Sequence, residues 1–208
     1  MIVLITLISA SIQVAIFSAI PLIFYLVKNK KITGFLKYIG LIKPERKSIP
    51  ISIVIALLYF GGSWLVYWKL GLLDTLRAEG LVGGAIQQMG LCVNAILIVL
   101  IKSIVATAMS EEILFRGFLG KRFINLIGFS YGNLLQSILF GLMHGVLFWG
   151  IIRNMVGITA IVLLTGTIGY LMGYINEKVG NGSIVPSWIT HSLANIMTPL
   201  FFIVVHKV

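Results

Sequence analysis

Charged side chains are scarce in this chain of 208 residues. They make up 11% of the sequence, whereas hydrophobic residues make up 59%. Soluble domains carry roughly 25% charged residues, so the composition excludes an ordinary soluble domain and indicates an integral membrane protein. The net charge of +10 would suggest nucleic-acid binding in a soluble protein. Here the basic residues cluster between apolar runs, where they set membrane orientation, so no nucleic-acid partner is predicted.

Cysteine and aspartate are scarcer still, and each absence removes a class of site. Cys92 is the only cysteine, which excludes an internal disulfide and a cysteine metal cluster. Asp74 is the only aspartate, which excludes the two-aspartate site of one kind of intramembrane protease. The sequence also contains no HExxH zinc motif and no Gly-x-Ser-Gly nucleophile loop.

Long apolar runs fill most of the chain. About 20 apolar residues form a membrane-spanning helix, and the runs predict about six spans in a single integral membrane domain over residues 1–208. The predicted spans are 2–27, 48–68, 80–101 with a helical continuation to 123, 123–152, 154–176 and 179–205. The predicted fold class is therefore all-α, a polytopic transmembrane helix bundle. Glycine pairs at 141 and 145 and at 169 and 173 predict close helix contacts.

The linker of residues 28–47 carries seven Lys or Arg residues and one Glu. The positive-inside rule places such a segment in the cytoplasm, and binding to anionic lipid is an equally good account of the same charges. Segment 69–79 is charge-balanced and is predicted outside, whereas Lys121 and Arg122 are predicted inside. The protein is then a multi-pass protein of the cell membrane with its N-terminus outside.

Two of the six acidic residues stand side by side between apolar stretches, in the segment SEEILFRG. On a helix Glu112 and Arg116 are four residues apart, so they share a face and can pair, which makes both charges tolerable inside a membrane. Glu111 points about 100° away from Glu112. Its own neighbours at helical spacing, Leu114 and Phe115, cannot satisfy a carboxylate. Glu111 must therefore find its partner on another helix or in water.

Further polar side chains interrupt the apolar runs: His144 in the predicted fourth span, and His191 and Asn195 in the sixth. A hydrogen bond between helices explains a lone intramembrane histidine as readily as a functional site does. Here several polar groups lie on three spans, and each of them must face the interior of the bundle, a cavity or a partner. Helices rise about 1.5 Å per residue, which places these groups and Glu111 in the cytoplasmic half or the middle of the membrane. One shared pocket, open to the cytoplasm, is therefore predicted.

Such a pocket can support hydrolysis. A buried carboxylate and a histidine can activate water, and His191 and Asn195 can donate hydrogen bonds where negative charge develops on a carbonyl oxygen. Three alternatives stay open: a membrane protein that binds a peptide without cutting it, a transporter or proton relay, and a zinc-dependent hydrolase that uses two histidines and a glutamate. The lack of repeat symmetry between the halves argues against the transporter.

The same residues form three motifs in a fixed order. The sequence resembles the CPBP family, the CAAX proteases and bacteriocin-processing proteins also called ABI. The segments EEILFR at 111–116, FGLMH at 140–144 and HSLAN at 191–195 match its EExxxR, FxxxH and HxxxN motifs. The matched core runs from about residue 102 to residue 195.

This resemblance implies an intramembrane glutamic endopeptidase with a CAAX-protease-like helical core. It implies that Glu111 and His144 activate water and that His191 and Asn195 form the oxyanion hole. Glu112 and Arg116 would support the site. Members of the family trim prenylated CAAX proteins or serve in bacteriocin immunity and peptide maturation. The expected partners are the lipid bilayer and a peptide or protein substrate, with an immunity or scaffold protein of the same fold as the alternative. No cofactor is predicted, and neither the substrate nor the oligomeric state follows from the sequence.

Overall fold

The computed structural model describes residues 1–78 and 81–206, which form a bundle of helices without any strand in those ranges. The α-helices are α1 (Ile2–Asn29), α2 (Phe35–Tyr38), α3 (Ser48–Lys69), α4 (Gly84–Met89), α5 (Val93–Leu100), α6 (Lys121–Ile152), α7 (Met155–Tyr174) and α8 (Val185–His206). A 3₁₀ helix, Leu73–Arg77, follows α3. The predicted all-α bundle is confirmed.

Three stretches are wound more loosely than an α-helix, with backbone hydrogen bonds that reach five residues back. They are Ile101–Met109 and Glu112–Gly120, which join α5 to α6, and Ile175–Val179 at the end of α7. We call the continuous path from α5 to Gly128 the long helix. Glu111 lies between its two π-helical stretches. The adjacent glutamates therefore lie in the least regular part of the long helix. Such stretches are rare and frequently occur at functional sites.

Several helical segments are long and apolar enough to cross a membrane. Within the described residues there are four: Ile2–Asn29, Ser48–Lys69, Val93–Ile152 and Met155–Val179. Only 6% of the most apolar window of the first segment is buried inside the protein, as expected for a helix surrounded by lipid. These segments confirm a polytopic membrane protein.

The third of these segments is folded back on itself. It contains 60 residues, about 90 Å of helix, which is about three times the thickness of a bilayer's hydrocarbon core. Gly128 breaks it, with φ 79° and ψ 168°, a backbone that glycine adopts without strain. The backbone of Gly132 packs directly against Phe123 and Ile124. The chain therefore reverses direction at Gly128.

Three predicted boundaries are wrong. The third span, predicted from residue 80, begins with α5 at Val93, after the short α4; residues 79 and 80 lie outside the described ranges. The fourth, predicted from residue 123, follows the break at Gly128, and the sixth, predicted from residue 179, begins at Val185. Hydropathy locates apolar runs, but it cannot show where the chain reverses direction inside such a run, because the mean hydropathy stays the same.

Helices α6 and α7 pack against each other through glycines. A Cβ atom at Gly141 would lie 2.5 Å from the Val162 carbonyl oxygen, and one at Gly173 would overlap the Asn133 side chain. A Cβ at Gly169 would lie 3.1 Å from an Arg116 guanidinium nitrogen. The close contacts predicted around the two glycine pairs are confirmed, and the second pair also leaves room for Arg116.

The basic linker holds one end of the bundle together. The Ile184 amide donates to the Gly40 carbonyl at 2.8 Å. Lys121 Nζ donates to the Gly182 carbonyl and pairs with Glu177, both at 2.7 Å. These contacts hold the start of α8 beside residues 28–47. We call this the linker end of the bundle. The opposite end, which carries residues 70–78 and 81–92, is the far end.

Near the linker end, α3 packs on α8 through small side chains. Ser48, Ser52 and Ala56 are buried along one face of α3. Thr190 Oγ1, on α8, donates to the Ser52 carbonyl at 3.1 Å. This contact fixes the rotation of α8, and with it the direction of His191, the next residue.

Candidate functional site

Residues from three helices meet inside the bundle. Glu111 lies on the long helix, His144 on α6 and His191 on α8. Glu111 Oε2 lies 4.0 Å from His144 Nε2 and 3.9 Å from His191 Nε2. Residues that are 33 and 80 positions apart in the sequence thus share one site, as the motif pattern predicts for their positions.

Glu112 makes a separate set of contacts. Its Oε1 accepts hydrogen bonds from Arg116 Nη1 at 3.0 Å and from His191 Nδ1 at 2.9 Å. The Arg116 guanidinium lies over the Phe140 ring, 3.9 Å from its centroid. The side chains of Arg116 and Glu112 are 2% and 0% exposed. The predicted Glu112–Arg116 pair is confirmed, and His191 is a third member that the sequence did not indicate.

The hydrogen bonds at Nδ1 determine which ring nitrogens carry a proton. His191 Nδ1 donates to the Glu112 carboxylate, and His144 Nδ1 donates to the Phe140 carbonyl at 2.9 Å, because both partners can only accept. In a neutral imidazole Nε2 is then an acceptor. Two ring acceptors therefore face Glu111 Oε2, which has no hydrogen-bond partner among the described residues. These three atoms are all acceptors and lack a donor. A water molecule has two O–H donors and can supply hydrogen bonds to two of them.

Asn195 is held by a residue that the sequence analysis missed. Asn195 Nδ2 donates to Thr107 Oγ1 at 2.8 Å, and Thr107 Oγ1 donates to the Lys102 carbonyl at 2.9 Å. Thr107 precedes Glu111 by four residues, and both line the same cavity. That spacing was the available signal, but it is weak because a threonine inside a helix commonly bonds its own backbone.

Two further contacts anchor the start of α8. Trp188 Nε1 donates to the Ile104 carbonyl at 2.7 Å. The Ser187 amide donates to Asn176 Oδ1 at 3.0 Å, and Asn176 Nδ2 donates to Ser187 Oγ at 2.7 Å. The first turn of α8 is therefore tied to the long helix and to the end of α7. His191 follows one turn later, so both elements fix its position.

A cavity of about 450 Å³ extends from this cluster. Its volume lies within the range of sites that bind small ligands. The groups at its floor are polar: Thr107, Glu111, His144, His191 and Asn195. Its walls are largely apolar and come from α3, α6, α7 and α8, together with Leu76 and residues 81–83. The cluster is therefore reached through an apolar passage.

The cavity extends towards the far end of the bundle. Its lining from α3 begins at Tyr59, and its lining from α8 runs from His191 to Pro199. The far-end segment contributes Leu76 and residues 81–83. With the linker in the cytoplasm, as predicted from the sequence, the cavity would extend away from the cytoplasm. The orientation and the side on which the pocket opens stay predictions.

Glu111 lies deeper in the bundle than the predicted end of the third span implies. That prediction assumed that the long helix ends at residue 123, which put Glu111 about 18 Å from that end. The helix continues to Gly128, which puts Glu111 about 25 Å from the linker end. Glu111 is therefore as close to the far end as to the linker end.

The cavity wall on α6 is partly exposed at the surface of the bundle, and we call this stretch the side opening. Leu147 and Ile151 line the cavity, yet they are 61% and 38% exposed. Both lie on α6, beyond His144 in the direction of the far end.

No group of three His, Cys, Asp or Glu side chains is placed to hold a metal ion in the part of the chain that the structure describes. The zinc-dependent alternative uses His144, His191 and Glu111. Elemental analysis of the purified protein tests it directly, since one zinc per chain would be required.

Comparison with known proteins gives a family match. The family model described as Type II CAAX prenyl endopeptidase Rce1-like matches residues 93–197. This stretch is half of the chain, and it includes the whole floor of the cavity, from Thr107 to Asn195. No curated protein sequence matches the chain. No solved structure matches it either.

Proposed function

The chain belongs to the Rce1-like family of type II CAAX prenyl endopeptidases, and we propose on this premise that it is an intramembrane endopeptidase. It would hydrolyse a peptide bond of a membrane-associated peptide or protein. One observation carries the proposal. Glu111 Oε2 is a buried carboxylate oxygen with no hydrogen-bond partner among the described residues, within 4.0 Å of two ring nitrogens, at the floor of a cavity.

The proposed nucleophile is a water molecule between Glu111 and His144. It donates one hydrogen bond to Glu111 Oε2 and one to His144 Nε2. As the water oxygen attacks the scissile carbonyl carbon, one O–H bond breaks and its proton passes to Glu111. The same proton then moves to the amine nitrogen as the C–N bond breaks. The products are an amine and a carboxylic acid, which keeps the water's second proton. General base catalysis of this kind contributes about 10²–10⁴-fold to the rate.

Asn195 and His191 are proposed to bind the oxyanion. One amide hydrogen of Asn195 is donated to Thr107, and the other is proposed to bind the substrate oxygen. His191 Nδ1 already donates its proton to Glu112, so Nε2 can donate only after the neutral ring has taken up a second proton from bulk water and become an imidazolium. Once Glu111 holds the water's proton, the imidazolium and the Glu112–Arg116 pair carry one net positive charge. That charge matches the single negative charge of the oxyanion.

The proposed orientation keeps the linker in the cytoplasm. The linker end carries seven Lys or Arg residues of the linker together with Lys121, Arg122 and Lys178, and such an excess marks the cytoplasmic side. The cavity then extends into the outer half of the membrane. A substrate would enter from the far end or through the side opening at Leu147.

A comparison of membrane peptides from cells tests the proposed activity. Fragments that appear with the wild-type protein should be lost with Glu111→Gln and with His144→Ala, because neither variant can activate the water. Both variants must be present in the membrane at the wild-type level. An identical set of fragments with wild-type protein and Glu111→Gln would contradict the proposal and leave peptide binding without cleavage as the function.

A further inference from the structure

The inner face of α3 changes character along its length. Near the linker end it consists of small residues that pack on α8. From Tyr59 onwards the same face lines the cavity. All three hydroxyl-bearing residues in the second half of α3, which are Tyr59, Ser63 and Tyr67, line the cavity. A strip of hydroxyl groups therefore forms one wall of an otherwise largely apolar passage.

These hydroxyl groups have unused hydrogen-bonding capacity. The phenol groups of Tyr59 and Tyr67 form no hydrogen bond with any described residue. Ser63 Oγ donates to the Phe60 carbonyl at 3.0 Å, which leaves its oxygen able to accept. Polar groups inside a membrane are costly unless they have a partner or line a cavity with one. The hydroxyl groups of the strip are therefore available to bind a polar ligand in the cavity.

A peptide that is to be cut inside a membrane must expose backbone N–H and C=O groups. Without partners, each exposed group costs several kcal/mol in an apolar medium. A hydroxyl group both donates and accepts, so it can serve either backbone group. Neither a purely apolar wall nor a charged side chain offers this.

The spacing of the strip fits an extended chain. Its members are four residues apart, and four residues of helix rise about 6 Å. Two residues of an extended chain cover about 6.7 Å. From Tyr59 to Tyr67 the helix rises about 12 Å, the length of about four extended residues. Hydroxyl groups at this spacing can meet every second residue of an extended peptide.

The charges around the cavity further restrict the ligand. Among its described lining residues there is no Lys or Arg, and the ionisable groups are Glu111, two histidines and two phenols. A peptide carboxylate or an acidic side chain would find no cation there. The walls beyond the floor include Leu147, Phe148 and Ile151, which suit apolar side chains.

We propose that Tyr59, Ser63 and Tyr67 form a binding site for the substrate backbone, which takes an uncharged, apolar stretch of peptide in extended form. This proposal rests on the proposed function and names its substrate class. The hydroxyl groups would hydrogen-bond the main chain on one side of the scissile bond. Side chains of the peptide would pack against the α6 wall.

Binding to the Glu111→Gln protein tests the site separately from catalysis. The probe is a decapeptide of alternating leucine and alanine, blocked at both ends and labelled with an uncharged dye, with Kd measured by fluorescence anisotropy in detergent. Tyr59→Phe and Tyr67→Phe should each raise Kd about 2–10-fold, the value of one neutral hydrogen bond. Tyr131→Phe is the matched control, since this tyrosine is 72% exposed and lies outside the cavity lining, and it should leave Kd unchanged.

A second peptide distinguishes backbone contacts from altered packing. Methylating alternate backbone nitrogens should weaken binding to the Glu111→Gln protein, and the effect of the methyl group should shrink when the matching tyrosine is already phenylalanine. Equal Kd values for all three tyrosine variants, or tighter binding of a peptide with a free carboxylate, would overturn the site. If the tyrosine variants raise Kd as expected but the wild-type protein cleaves no peptide, the proposed function is overturned and the binding site is supported.

Discussion

Two adjacent carboxylates in this chain have different surroundings. Glu112 accepts from Arg116 and His191 and is completely buried. Both carboxylates have one oxygen without a hydrogen-bond partner among the described residues, but Glu111 lines the cavity and Glu112 does not. Adjacent residues of a helix point in different directions, so a single step in sequence separates a buried, paired carboxylate from one that faces the cavity.

Removing the arginine tests the structural carboxylate. Arg116→Ala should destabilise the protein by about 3–5 kcal/mol, because it leaves the buried Glu112 with one partner fewer. Thermal unfolding in detergent measures this. Arg153→Ala is the control, since Arg153 is exposed and bonds only to its own helix end. Equal melting temperatures for the two variants would show that the pair contributes nothing to stability.

Removing the Asn195 amide tests the proposed oxyanion site. Asn195→Ala should lower kcat by about 10²–10³-fold with little change in KM, because the hydrogen bond strengthens as the oxyanion forms. Thr107→Val should lower kcat by a smaller factor, since it removes only the group that orients the amide, and Thr107→Ser should restore it. Steady-state kinetics would contradict this assignment if Asn195→Ala changed KM alone.

Only some of the side-chain contacts in the site could be predicted from the sequence. The Glu112–Arg116 pair follows from helical spacing, and the histidines and Asn195 stand out because polar groups are rare in apolar runs. The bond from His191 to Glu112 and the one from Asn195 to Thr107 join residues 79 and 88 positions apart. They depend on how α8 is rotated against the long helix, and spacing within one helix carries no information about that.

Among the elements, the packing of α6 on α7 decides where His144 lies. Gly141 permits the contact, because a Cβ there would lie 2.5 Å from the Val162 carbonyl oxygen. That oxygen belongs to the backbone of α7 and cannot move alone. His144 is three residues further along α6, so a separation of the two helices displaces it.

A pair of glycine substitutions tests this packing. Gly141→Ala should destabilise the protein by about 1–3 kcal/mol, the usual cost of overpacking, and should lower activity through His144. Gly150→Ala, on the same helix, meets open space and should be neutral or slightly stabilising, because alanine is the better helix former. Thermal unfolding of both proteins measures the difference. Equal stability of the two variants would contradict the packing account.

At the same scale, the existence of the helices was predictable and their ends were not. Apolar runs of about 20 residues define spans well. The break at Gly128 lies inside one apolar run and depends on a positive φ, and the start of α8 depends on contacts of Ile184 with the linker. Both are tertiary features that hydropathy cannot detect.

For the whole molecule, the linker and the cavity lie towards opposite ends of the bundle. This arrangement links membrane orientation to substrate entry, because fixing either one fixes the other. Native Cys92 is exposed at the start of α5 and reports on the far end. Lys43 is exposed in the linker and reports on the linker end.

Cysteine labelling decides the orientation. With a membrane-impermeant maleimide, Cys92 should be labelled on intact cells, because the far end is proposed to face outwards. Lys43→Cys in a Cys92→Ser background should be labelled only after the cytoplasmic face is exposed. The reverse pattern would place the linker outside and turn the cavity towards the cytoplasm.

The most direct test of the account is the turnover of purified Glu111→Gln protein. The measurement is the rate of peptide-bond cleavage in detergent, on a fragment that the wild-type protein produces in membranes, alongside the melting temperature. Glu111→Gln should keep the wild-type melting temperature and lose turnover by at least about 10²-fold, the lower bound for a general base. Turnover at the wild-type rate by the folded Glu111→Gln protein would contradict the account.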